Sequence, residues 1–320
     1  MSIKSNLKPL IVILGQTASG KTDLAIKLAK KYQGEIICAD SQTIYKGMNI
    51  GTAKPKGKKS IINNHPALIV RKIPHYMIDI VKPNQTFSVG QFKNLAIKII
   101  KDIHRRGKIP FLVGGTGLYI SAIVDNLEIP RVRPDRKLRK KLEEQAKKYG
   151  LNYLYKKLLK LDPEAKNFVQ KENLRRVIRA LEVCLKTKNP FSQLRQKGKP
   201  LFNVLQIGVK IPRPLLYQRI NQRVDKIIKL GLIQEVKKLV KKYSFNFPAM
   251  DAIGYRQIGL YLNKKISLKQ AIELIKRDTR HYAKRQMTWF KRDKRIHWVS
   301  PDNFQIIQKL IKNFIEKNPV

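Results

Sequence analysis

A continuous apolar run, Leu10-Ile-Val-Ile-Leu14, feeds directly into Gly15-Gln-Thr-Ala-Ser-Gly20-Lys21-Thr22, and a segment with Leu24, Ala25, Leu28, Ala29 and Tyr32 on one helical face follows. Few local patterns constrain a fold so tightly. The run reads as a buried strand, the Gly/Lys/Thr stretch matches G-x-x-x-x-G-K-[ST] in full, and the third segment reads as a helix. In that order, backbone N–H groups and the positive end of a helix dipole face one concavity, an arrangement that holds a phosphate or diphosphate. Gly15, Gln16, Thr17, Ala18, Ser19, Gly20, Lys21 and Thr22 are therefore expected to form a cradle. Lys21 would reach an outer phosphate, and the Thr22 hydroxyl suits Mg²⁺. A nucleotide such as ATP is the natural first ligand for such a loop.

Strand and helix signals alternate through about residue 125, which predicts an α/β fold: a P-loop-type core with a parallel sheet flanked by helices. Glu35-Ile-Ile-Cys-Ala39 is a short strand ending at Asp40. Ser88-Val-Gly-Gln91 is a capping box before a helix with Phe92, Leu95, Ala96, Ile99, Ile100 and Ile103 inward, and Gly107 ends that helix. Lys108–Val113 is the next strand, running into Gly114-Gly115-Thr116. From Pro130 and Pro134 the pattern becomes helical, with Leu138, Leu142, Ala146 and Tyr149 in one series and Leu174, Val177, Ile178, Leu181, Cys184 and Leu185 in another. A strand returns at Val204–Ile211, and the remainder reads as helices with a basic tail. Residues 1–125 and 201–320 are thus expected to build the core, and 126–200 a helical insertion domain.

The chain carries 68 Lys and Arg against 22 Asp and Glu, a formal charge of +46. Such a field favours a polyanionic partner, while a general enrichment in surface lysine produces the same total. The two cysteines, Cys38 and Cys184, are too few and too far apart for a zinc site or a disulfide framework, as expected in a reducing cytosol. No secretory leader and no apolar run of about 20 residues is apparent, so a soluble cytoplasmic chain without membrane contact is expected, and no obligate protein partner is evident.

Asp40 follows its strand at the end where ligands gather in open α/β sheets. A carboxylate there can bind Mg²⁺ through water, accept a proton, or simply cap the next turn. The polar, Gly-punctuated connection Ser41–Pro55 is expected to be poor core material and good substrate-contact material. Val113-Gly-Gly-Thr116 offers backbone and a hydroxyl where a hydrolysing P-loop enzyme often carries an acid, which weakens an ATPase reading. On the helix from Arg213, Arg219 and Arg223 flank the stripe Leu216, Ile220, Val224 and Ile227, where an Arg can stabilise a departing phosphate or merely be solvated. Arg175, Arg176 and Arg179 share an arc that fits an RNA backbone or stacked bases as well as a solvated face. Asp251–Arg256 and Thr279–Phe290 interleave aromatic and basic residues, suiting base stacking or, for the second, an amphipathic helix with Ala283, Met287 and Phe290 inward.

Six ordered blocks resemble one family: GQTASGKT at 15–22, DSQTIYKGMNIGTAKP at 40–55, LVGGTGLYI at 112–120, RRVIRALEV at 175–183, DAIGYRQ at 251–257 and TRHYAKRQMTWFKRD at 279–293. The chain is similar, from about residue 10 to 293, to the tRNA dimethylallyltransferases, the IPP transferase family. Gln16 and Tyr255-Arg256-Gln257 depart slightly from the family pattern. The resemblance implies transfer of a dimethylallyl group from dimethylallyl diphosphate to N6 of the adenosine 3′-adjacent to the anticodon. It places the diphosphate, not ATP, on residues 15–22, with Thr17 and Lys21 at its oxygens, Arg223 steadying the departing group and Mg²⁺ completing neutralisation. It gives Asp40 the proton of the adenine amino group, with the base flipped out of the anticodon loop. It maps tRNA contacts to Asp40, Ser41, Gln42, Thr43, Thr116, Arg139, Arg175, Arg176, Val177, Ile178, Arg179, Asp251, Ala252, Ile253, Gly254, Tyr255 and Arg256. Prenyl transfer to a free adenine nucleotide and a small-molecule P-loop kinase are the competing readings.

Overall fold

The computed structural model describes residues 7–130, 132–194 and 196–319. In chain order, strand β1 (Pro9–Gly15), helix α1 (Lys21–Lys31), β2 (Glu35–Ala39), β3 (Lys58–Ile62), β4 (His65–Val70), β5 (Ile73–Tyr76), α2 (Val89–Arg105), β6 (Pro110–Gly114) and α3 (Gly117–Val124) open the core. The helices α4 (Arg136–Tyr149), α5 (Leu151–Leu161) and α6 (Leu174–Thr187) follow. The core resumes with β7 (Asn203–Val209), α7 (Arg213–Lys229), α8 (Leu232–Tyr243), α9 (Tyr255–Leu262), α10 (Leu268–Phe290), β8 (Ile296–Val299) and α11 (Phe304–Lys317). Contacts divide the chain into two compact units, Met1–Val124 with Leu201–Val320, and Asp125–Pro200.

Eight strands of the first unit form one sheet in the order β3-β4-β5-β2-β6-β1-β7-β8. From β5 to β8 every pairing is parallel, with β1 central between β6 and β7. Alternation along β1 sends Leu10, Val12 and Leu14 to a core beneath α2 and α3, and Ile11 and Ile13 to a second core beneath α1 and α11. Both faces are covered, which is why β1 and β6 are buried along their whole length. The capping box before α2 is formed: the Ser88 hydroxyl accepts from Gln91 N and Gln91 accepts from Ser88 N.

Two strand features differ from the sequence expectation. The β3-β4-β5 edge is antiparallel, joined by two-residue turns at Asn63-Asn64 and Arg71-Lys72, all four at positive φ. Arg-Lys carries none of the Gly or Asn chemistry that announces such a turn, and β3 alternates only weakly. The four-residue β8 was also absent from the expected helical remainder; it gains its place by pairing in parallel with β7.

The connection after Asp40, expected to be poor core material, contributes to a core. Ile44, Tyr45 and Met48 are buried with Val224, Ile227, Leu232, Val236, Tyr255 and Ile258 in a third core built by α7, α8 and α9. Their irregular spacing among polar residues hides that role from periodicity.

In the second unit, α4, α5 and α6 pack around Leu142, Leu154, Leu158, Val177, Leu181 and Cys184. Tyr149 (54 % exposed) and Leu185 (40 % exposed), expected inward by spacing, face out. The fully buried Glu182 is held by Arg139 (2.7 Å), Arg179 (2.6 Å) and the backbone N–H of Asp135 (2.7 Å).

Candidate active site

The cradle forms where β1 meets α1. Gly15 packs so closely that a Cβ would lie 2.7 Å from Val209 O, Ala18 takes φ 61°, and Gly20 caps α1 at φ 88°. These left-handed steps turn the loop around a concavity at the N-terminus of α1. Lys21 Nζ curls back to donate to Gln16 O at 3.0 Å. From α10, Gln286 Oε1 accepts from Thr17 N at 2.8 Å while its Nε2 donates to Gly115 O at 2.8 Å. Gln16 Nε2 in turn donates to Ala283 O at 2.9 Å. One helix thus ties the cradle to the end of β6.

The loop opens into a cleft, partly open to solvent, at the carboxyl ends of the parallel strands. Thr17, Lys21, Thr22, Asp40, Thr43, Thr52, Arg223, Tyr282 and Gln286 supply polar walls; Ala25, Ile36, Cys38, Ile78 and Val113 supply an apolar one. Asp40 Oδ1 accepts from Gln42 N (2.8 Å) and Thr43 N (3.2 Å), so the turn-capping role is real. Oδ2 has no hydrogen-bond partner among the described residues, leaving half the carboxylate available for chemistry. Thr116 Oγ1 accepts from Ser41 N at 3.0 Å, holding the start of the connection against the end of β6.

Two cations share this cleft. Burial drives the Lys21 ammonium down to about 8, Arg223 pushing the same way and Asp40 opposing. Arg223 is also lowered by burial, with Asp40 opposing, and its Nη2 donates to Thr52 O at 3.1 Å. Two desolvated cations facing one carboxylate leave an unmet demand for negative charge. Arg219 Nη1 stands 4.0 Å from where a Cβ on Gly20 would lie, adding positive potential at the loop. Burial raises Cys38 well above the usual thiol range, so its sulfur stays an uncharged wall atom.

Glu235 on α8 orders the connection that carries Thr52. Its carboxylate accepts from Asn49 N (2.9 Å), Ile50 N (2.8 Å), Gly51 N (3.1 Å) and the Tyr255 hydroxyl (2.6 Å). Lys54 Nζ adds Tyr45 O (2.8 Å), Asn49 Oδ1 (3.0 Å) and Asp79 (2.5 Å). Sequence reasoning missed Glu235, Gln286 and the ring of His75, and covered Thr52 and Tyr282 only as members of the 41–55 and 279–290 segments. Gln286 lies inside a motif quoted for the resemblance, but helical periodicity assigns it no role.

The structure corrects part of the expected RNA contact set. Val177 and Ile178 are buried in the core of the second unit, and Ala252 and Tyr255 in the third core of the first, so their side chains serve packing. Arg139 and Arg179 are spent on Glu182; Arg179 also donates to Val132 O. Arg175 and Arg176 are exposed on α6. Asp251 and Arg256 are exposed, Ile253 is half-buried, Arg256 pairs with Asp278 at 3.0 Å, and Gly254 N donates to Gln257 Oε1. Ser41, Gln42, Thr43 and Thr116 are half-buried beside Asp40.

The family model described as IPP transferase matches residues 43–293. The chain belongs to the IPP transferase family. Among curated relatives, it is 47 % identical to a tRNA dimethylallyltransferase of Acetivibrio thermocellus over 95 % of each chain. It is 48 % identical to one of Carboxydothermus hydrogenoformans over 96 % of each. The full-length tRNA isopentenylpyrophosphate transferase of Bacillus halodurans superimposes with a TM-score of 0.71 at 38 % identity, covering 97 % of this chain and 98 % of that one. A eukaryotic dimethylallyltransferase acting on tRNA gives 0.74 at 29 % identity, covering 98 % and 81 %. This member of the IPP transferase family has no helix, among the described residues, long and apolar enough to cross a membrane.

Proposed function

We propose that this protein transfers a dimethylallyl group from dimethylallyl diphosphate to N6 of the adenosine 3′-adjacent to the anticodon in tRNA, releasing diphosphate. The observation that carries the reading is the pairing of two desolvated cations, Lys21 and Arg223, with an apolar wall and a half-free carboxylate in one cleft.

Backbone N–H groups of the 15–22 loop, Lys21 and Arg223 bind the diphosphate, and Ala25, Ile36, Cys38, Ile78 and Val113 shelter the allylic carbons from water. The N6 lone pair attacks C1, the C1–O pair leaves on the diphosphate, and Asp40 Oδ2 takes the amino proton. Because Lys21 and Arg223 stand ready before reaction, they stabilise the leaving charge without reorganisation. Thr17, held through its N–H by Gln286, presents its side chain to the same oxygens.

No group of three or more His, Cys, Asp or Glu among the described residues could hold a metal by itself. An exposed Thr22 hydroxyl on the first turn of α1, lining the cleft with Asp40, fits an ion completed by substrate oxygens and water, the habit of Mg²⁺. Mg²⁺ bound there supplies further neutralisation of the diphosphate.

Asp40→Asn separates the two roles of Asp40, since the amide oxygen still caps Gln42 N and Thr43 N but cannot act as a base. With dimethylallyl diphosphate, Mg²⁺ and unmodified tRNA, wild type should yield one prenylated adenosine by nucleoside mass spectrometry. Asp40→Asn should yield almost none while binding tRNA normally. An unmodified base with wild type refutes the reading.

A further inference from the structure

His75 is 1 % exposed and lines the same cleft, and its Nε2 has no hydrogen-bond partner among the described residues. The other ring nitrogen fixes what that atom offers. Nδ1 lies 2.9 Å from Ile73 O, a carbonyl that can only accept, so Nδ1 carries the proton and Nε2 presents a lone pair. Burial lowers the imidazole below its ordinary range, which keeps that lone pair available at neutral pH.

Strand register sets the depth of this acceptor. Cys38 pairs with Val113, whereas Ile36 pairs with Phe111 and with His75. His75 therefore lies one row below Cys38, about 7 Å farther from the strand ends that carry Asp40 and Gly114. Between the two levels the wall is apolar: Ile36, Cys38, Ile78 and Val113. An allylic chain with its diphosphate on the 15–22 loop would fill that stretch and bring its far end toward the ring. Thr43 Oγ1 is a second buried cleft atom without a partner. An apolar pocket lined at its deeper row by an unmatched acceptor is poorly matched to a methyl group and well matched to a hydroxyl, whose burial is unfavourable unless it is hydrogen-bonded.

We propose that the cleft also takes five-carbon allylic diphosphates hydroxylated on a terminal methyl, with His75 Nε2 accepting the hydroxyl hydrogen bond. This rests on the prenyl-transfer reading above and names a second substrate class for the same site. The C1–O bond breaks with its electron pair leaving on diphosphate, the C1–N6 bond forms, and the N6 proton passes to Asp40. The terminal hydroxyl is carried through unchanged, so no oxidant is needed.

The test is competition between dimethylallyl diphosphate and its terminally hydroxylated analogue on unmodified tRNA, read as the ratio of their kcat/KM values from product masses. Wild type should transfer both groups. His75→Leu should lower the hydroxylated-to-plain ratio about tenfold, the size of one buried hydrogen bond, and His75→Gln, which keeps an acceptor, should lower it less. Transfer of the plain group alone by wild type, or a ratio that His75→Leu leaves unmoved, overturns the proposal while the transferase reading stands. Transfer of neither group overturns both. Should the variants fold poorly, the two diphosphates are titrated against wild type, and tenfold weaker binding of the hydroxylated one is the overturning result.

Discussion

Lys21 should make diphosphate binding pH-dependent above neutrality. Its ammonium titrates near 8 in the free protein because it is buried beside Arg223 with only Asp40 in opposition. A bound diphosphate reverses that balance by placing anionic oxygens against Nζ, so the bound form holds its proton to higher pH. Binding then takes up a proton, and affinity should be level below pH 8 and fall about tenfold per unit above it. Between pH 8 and pH 10 the protonated fraction drops from about one half to about one hundredth, a loss of roughly fiftyfold. Calorimetric titration of inorganic diphosphate across that range checks this, with Lys21→Arg as reference because its charge does not titrate there. The ratio of the two affinities cancels the ligand's own ionisation. A ratio flat from pH 7 to pH 10 would refute the account of Lys21 as a desolvated cation awaiting an anion. The same shift has a stability counterpart of opposite sense. A depressed lysine opposes folding below pH 8, and that opposition fades as pH rises from about 8 towards 10.5. Lys21→Met should therefore melt above wild type at pH 7, with the difference shrinking at high pH.

Gln286→Ala leaves Thr17 N and Gly115 O without their side-chain partner, which should cost about 2–4 kcal/mol and lower kcat/KM at least tenfold, measured by thermal melts and transfer kinetics; full activity would show that α10 does not hold the cradle. Arg139→Ala removes one of two guanidiniums from a fully buried carboxylate and should destabilise the 125–200 unit by about 3–5 kcal/mol, whereas Arg139→Ala combined with Glu182→Gln should recover part of that loss, both read by denaturant melts. Arg176→Ala, exposed on α6, should leave stability unchanged and lower the salt slope of tRNA binding by about 1; an unchanged slope places that residue outside the RNA contact. Glu235→Ala should loosen residues 49–51, visible as faster amide exchange there, and raise the KM for the diphosphate through the Thr52–Arg223 contact; protection left intact would refute the link.

Local chemistry made much of this protein legible. The loop at 15–22, the strand 35–39, most of the strand expected at 204–211, the capping box at Ser88 and the first and last helices of the insertion rest on periodicity, caps and glycine positions, all written within a few residues; α5 between those helices was not read. Asp40 was legible as a residue of the cleft because a carboxylate at a parallel strand's end has few other places to face. The RNA-contact assignments were only partly so. Val177, Ile178 and Tyr255 lie in motifs that resemble a functional family, yet a motif does not separate a residue that touches a ligand from one that packs behind it.

What the sequence could not decide was pairing across distance. Whether an arginine on an arc meets RNA or a buried Glu182 depends on a partner 43 positions away for Arg139 but only three for Arg179, and on a burial that only packing creates. Gln286 reaches Thr17 across 269 positions and Gly115 across 171, and Arg223 finds Thr52 across 171. The sequence by itself determined which loop forms the cradle at the N-terminus of α1, because that geometry is made by neighbouring backbone groups. Tertiary structure alone decided that two of the cations there are desolvated, that the facing wall is apolar, and that an imidazole nitrogen without a partner among the described residues lines the same cleft. Those properties come from atoms brought together by the sheet order, and burial sets their energies.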